Sequence, residues 1–122
     1  MSGTIPLKAQ ITFGKFQNVD MRVALVRAAP MATGTRAPSR YVTLDLGPLG
    51  ERHSVAQLAL VDERDLVGRH VIACVNLGSR QIGSYVSEAL ILGVPHPDSP
   101  DGQAQALPLY ASDLATPGDC VF

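Results

Sequence analysis

The chain has no tryptophan, and its aromatic residues make up only 5% of the sequence. Its interior must therefore be filled by Val, Leu, Ile and Ala. Cysteine is nearly absent as well. Cys74 and Cys120 are the two present, too few for a disulfide framework. Cys74 lies inside an apolar run and reads as a small core residue. Cys120, near the C-terminus, reads as semi-exposed. Charge is sparse, at 17% of residues with a net charge of −1. The basic excess typical of a nucleic-acid binder is missing, so binding of that kind would need a local basic patch. No stretch approaches the roughly 18 apolar residues that span a bilayer. The opening MSGTIPLKAQ shows no apolar signal-type segment. A cytoplasmic protein without a membrane partner is expected.

Catalytic and metal motifs are missing too. His53, His70 and His96 are isolated from one another, and no Cys-x-x-Cys pair occurs, so no metal and no cofactor are expected. His53 and Ser54 are adjacent in a strand-like run and point to opposite faces, which prevents them from pairing as base and nucleophile. No nucleophile elbow or phosphate-binding glycine loop appears. Asp62, Glu63 and Asp65 read as a solvated acidic face. The expectation is a binding protein with no catalytic residues, not an enzyme.

What the chain does have is length and apolar content for one folded domain. Its 122 residues are 46% hydrophobic, enough to bury a core unaided. Residues 1–12 show no periodicity and read as a loose arm, with a short helical turn following around Lys15 to Val19. Met21 to Ala28 is the first strand. Tyr41 to Leu46 alternates, with Tyr41, Thr43 and Asp45 on one face and Val42, Leu44 and Leu46 on the other. Gly47 to Gly50 is a tight turn, and His53 to Leu58 returns as the third strand. Val61 to Gly68 reads as a short helix with a glycine stop. His70 to Val75 and Glu88 to Val94 are strands four and five. Residues 95–122 form a C-terminal extension with a further short strand over Ala104 to Tyr110. Three strands, a short helix and two strands is the order of an OB-fold. The expected fold is a mainly all-β, five-stranded OB-fold barrel with a short helix between strands 3 and 4 and extensions at both ends, spanning 1–122 as a single domain.

Between strands four and five, Gly78 to Ser84 reads as a polar loop carrying Arg80. Asn76 and Gln81 offer amides, and Arg80 a guanidinium fork. Tyr85 offers a stacking face, and Ser87 and Glu88 offer groups for a base edge. Arg36, Arg40 and Arg80 would contact phosphates if they converge. A structural reading stands beside this one: Asn76 and Ser87 satisfy backbone groups at strand ends, and Glu88 pairs with an arginine.

Val19-Asp20-Met21-Arg22-Val23 resembles the opening of the tRNA-binding-domain family. The block Asn76-Leu77, Arg80-Gln81-Ile82-Gly83, Ser87-Glu88 resembles its signature loop. Gly47-Pro48-Leu49-Gly50, Ser54 to Gln57 and Leu66-Val67-Gly68 are most similar to the CsaA branch, described as export-related chaperones. The resemblance implies an OB-fold homodimer that binds tRNA or tRNA-like RNA on the barrel surface, without a cofactor. Its binding candidates by motif position are Asn76, Arg80, Gln81, Ser87 and Glu88. The CsaA branch implies the alternative, a chaperone for unfolded or presecretory polypeptide. Ile11, Phe13, Phe16, Leu107, Leu109, Val121 and Phe122 are the apolar candidates for a dimer contact.

Overall fold

A computed structural model describes residues 5–100 and 104–122. The first four residues of the expected arm, and residues 101–103 of the C-terminal extension, lie outside it. Residues 5–12 carry no regular structure and are exposed. Helix α1, Phe13–Gln17, follows, with the Thr12 hydroxyl accepting from the Lys15 amide as its cap.

The body is a five-stranded antiparallel sheet curled into a nearly closed barrel. Strands β1 (Met21–Ala28), β2 (Arg40–Asp45), β3 (Glu51–Ala56), β4 (His70–Cys74) and β7 (Leu90–Ile91) stand in the order β3-β2-β1-β4-β7. The β2–β3 hairpin is the one the alternation predicts. Val42, Leu44 and Leu46 are buried and Tyr41, Thr43 and Asp45 only partly so. Ala24, Val26, Val42, Leu44, Leu58, Leu66, Val71 and Ala73 form the core, an aliphatic interior as the lack of aromatics requires. β1 carries a bulge between Val26 and Ala28, which helps bend the sheet toward closure.

Three details differ from the sequence-based expectation. The helix expected over Val61 to Gly68 is a single 3-10 turn, Glu63–Asp65, capped by the Asp62 carboxylate. Its purpose is to drop Leu66 into the core, where that residue is fully buried. The strand expected over Glu88 to Val94 is broken in two. β7 pairs with β4, whereas β8 (Gly93–Pro95) pairs with β9 (Ala106–Pro108). Leu92 makes the handover, donating to the Ile72 carbonyl and accepting from the Leu109 amide. Third, residues 80–87 are not a loop. β5 (Arg80–Ile82) and β6 (Tyr85–Ser87) form a hairpin through Gly83 and Ser84, with Gly83 at φ +60° as a two-residue turn requires.

The C-terminal tail is part of the sheet. β1 meets β2 only from Leu25 onward, so its first half has a free edge. That edge is taken by the tail: Val23 donates to the Asp119 carbonyl, Gly118 to Val23 and Val121 to Met21. Tyr110 ties the same segment to the 3-10 turn through its hydroxyl bond to the Asp65 carbonyl, with the Arg69 guanidinium 4.0 Å above its ring.

Candidate binding groove

β3 and β7 are the two edges of the sheet, and the barrel closes where they meet. The closure is not a regular ladder. Glu88 donates its amide to the His53 carbonyl at 2.8 Å, and its carboxylate accepts from the His53 amide at 3.1 Å. The Ser87 hydroxyl accepts from the Val55 amide at 3.0 Å. Farther along, Ala106 donates to the Gln57 carbonyl at 2.9 Å. Ser87 and Glu88 are thus seam residues.

Along this seam lies a groove of about 570 Å³. Val55, Ile82, Leu90 and Leu92 give it apolar walls, and Arg36 and Arg80 both line it. A smaller recess of about 160 Å³ continues past Arg80 toward Leu77, sharing Val55, Ile82 and Leu90. Arg36 reaches the groove from the 29–39 loop. That loop is held by the bond from Ala32 to the Ser39 carbonyl and by Gln105, whose buried amide donates to Pro38 and accepts from Ala59. Among the described residues, neither Arg36 nor Arg80 has an acidic partner.

The fold gives the sequence-predicted site residues different work. Arg36 and Arg80 converge on the groove. Asn76, Ser87 and Glu88 have internal work. The Asn76 side chain accepts from the Asp20 amide and donates to the Asn18 carbonyl, clipping α1 to the end of β4. Glu88 faces His53, not an arginine, at 3.5 Å from the imidazole. Gln81 donates to the Gly83 carbonyl and steadies its own hairpin. Arg40 is a correction. As an inward residue of β2 it is buried, and its guanidinium donates to the carbonyls of Ala29, Leu58 and Val61. Those bonds hold it in the wall of the fold, away from any phosphate on the surface.

Tyr85 lies beside the groove in a ring column. Its ring meets Tyr41 at 4.8 Å, and Tyr41 stacks on His53 at 4.9 Å, nearly parallel. The Tyr85 phenol is held below its ordinary titration range, first by the Thr33 hydroxyl and then by the Thr33 amide. This bond fastens the hairpin to the Arg36 loop. Sequence reasoning missed the apolar walls at Ile82, Leu90 and Leu92, because their apolar character reads as core. Among the described residues, no cluster of His, Cys, Asp or Glu is arranged to hold a metal ion, and no helix is long and apolar enough to cross a membrane.

No protein-family model matches the chain. Solved structures do. The chaperone CsaA of Bacillus anthracis str. Ames superposes with a TM-score of 0.81 at 27% identity, over 93% of this chain and 100% of that one. The chain is CsaA-like. The CsaA chaperone protein of Picrophilus torridus gives a TM-score of 0.79 at 26% identity, with 93% and 100% covered. A MetRS-related protein of Pyrococcus horikoshii shares the fold, with a TM-score of 0.79 at 20% identity over 94% of this chain and 100% of that one.

Proposed function

We propose that this chain is a CsaA-like binder of unfolded or presecretory polypeptide, working in the cytoplasm as a homodimer. The observation that carries the reading is the groove at the seam, with its apolar walls and with Arg36 and Arg80 in its lining. An open groove with apolar walls suits varied, partly unfolded chains better than one folded ligand. The two CsaA structures it matches are described as chaperones, which supports the same reading. The dimer is motivated by exposed apolar residues. Phe13 and Phe16 of α1 are 71% and 36% exposed, and Phe122 is fully exposed. A five-residue helix with no buried residue is too short to persist alone. A second copy packed on it supplies the missing contacts. Leu107 is half-buried against the core and offers that surface less apolar area.

The test is suppression of aggregation of a chemically unfolded substrate diluted into buffer with the protein. Suppression near one dimer per substrate supports the reading, and no effect at excess dimer refutes it. Sedimentation decides the oligomer, since a species of 12.9 kDa at working concentration removes the dimer.

A second reading, binding of tRNA-like RNA, is favoured by one observation: Arg36 and Arg80 face one groove beside the Tyr41 and Tyr85 rings. Labelled total tRNA titrated across a salt series tests it. Saturable binding with a steep negative salt slope, lost in Arg80→Glu, supports RNA. Absence of binding at low salt leaves polypeptide as the ligand.

A further inference from the structure

The groove has a backbone wall as well as a side-chain one. Successive residues of an antiparallel strand turn their N–H and C=O to opposite edges. In β3, His53 and Val55 turn theirs away from β2; the strand ends at Ala56, and Gln57 stands in a tight turn closed by the Leu58 amide on the Ala56 carbonyl at 2.8 Å, with its own carbonyl turned to Ala106. At one end of this edge, the His53 groups and the Val55 amide are taken by Glu88 and Ser87. At the other, the Gln57 carbonyl is taken by Ala106. Between these stitches lie the Val55 carbonyl and the Gln57 amide. Among the described residues neither has a hydrogen-bond partner, and both residues line the groove. An acceptor at the end of a strand and a donor in the turn just past it can pair with one residue of an extended polypeptide.

We propose that the groove binds polypeptide by strand addition at this gap, taking an extended segment in which apolar residues alternate with acidic ones. The incoming backbone bonds to the Val55 carbonyl and the Gln57 amide. Its apolar side chains lie against Ile82 and Leu90, and its carboxylates meet Arg36 and Arg80. Charge complementarity selects this occupant, because among the described residues neither guanidinium group has an acidic partner. The inference rests on the polypeptide reading above and adds the mode and the preferred composition.

Fluorescence anisotropy of a labelled, capped hexapeptide of alternating Val and Asp tests it. A second peptide carries Lys in place of Asp, and two more carry N-methyl groups on one or the other alternate set of amides. The Asp peptide is expected to bind about tenfold tighter than the Lys peptide, and Arg36→Ala/Arg80→Ala is expected to erase that difference. One N-methylated peptide is expected to lose about tenfold or more, and the other to keep most of its affinity, because a strand edge uses only alternate amides. Equal binding of both methylated peptides and the parent overturns strand addition. Equal binding of Asp and Lys peptides overturns the acidic preference, and no binding of the parent overturns both. Aggregation suppression is measured beside it. Suppression that persists without peptide binding leaves the polypeptide function standing and removes only this mode.

Discussion

The hydroxyl of Ser87 occupies the place where a neighbouring strand would present a carbonyl to the Val55 amide, 3.0 Å away. One side chain stands in for one rung of the ladder. Ser87→Ala removes it and leaves that amide facing the groove. Water replaces part of the bond, so the expected loss is about 1 kcal/mol. Urea denaturation measures it, and an unchanged midpoint shows that the rung contributes nothing.

Arg40 and Arg80 should behave oppositely. Arg40→Met takes a buried guanidinium away from three carbonyls and is expected to cost ~3 kcal/mol of stability. Arg80→Ala changes an exposed side chain, and its expected effect on stability is within about 0.5 kcal/mol. Thermal unfolding of the two variants side by side checks the contrast.

The acid limb of stability should run partly through Asp45. Its carboxylate accepts from the Gly47 amide and from the Arg27 guanidinium, which hold it below the ordinary 3.8, the Gly47 bond most strongly. A depressed folded value contributes stability that is fully present above 3.8 and is lost as pH falls through the folded value. Asp45→Asn should lower stability at neutral pH and flatten its dependence below that point. Denaturation midpoints across the acid range test this, and parallel curves for variant and parent refute it.

Gly83→Val should undo the hairpin locally. Its φ is +60°, and a Cβ there would stand 3.3 Å from the Gly34 carbonyl oxygen. A β-branched residue in that conformation costs roughly 1–2 kcal/mol. The hairpin and the Arg36 loop should separate, freeing the Tyr85 phenol from Thr33. A spectroscopic titration should then show Tyr85 moving up toward 10.0, from which the folded protein lowers it.

The barrel was legible where periodicity and punctuation agree. Tyr41 to Leu46 alternates cleanly, and Gly47 to Gly50 closes it into a hairpin, so β2 and β3 could be placed. β5 and β6 could not, because strands of three residues are too short to show a period. The Gly83-Ser84 pair was the available signal, a two-residue turn between strands. Arg40 was misplaced for a different reason. A guanidinium at the head of a strand looks the same whether it meets phosphate or a ring of carbonyls, and only tertiary packing separates the two. The groove has the same origin: Arg36, Val55, Arg80 and Leu90 come from four separate segments. The structural reading of Asn76 and Ser87 as partners of backbone groups matches the bonds they make.

A wall joined by a serine and a glutamate has a preferred place to come apart. Where β2 is laced to β3 and β1 to β4, opening requires many bonds to fail together. At the seam, release of the Ser87 and Glu88 side chains frees the His53 and Val55 amides while the rest of the sheet stays intact. Hydrogen exchange should therefore be fastest along that edge and slow at Val42 and Leu44. The barrel breathes on one side only, and a guest arriving there meets the part of the wall already prepared to yield.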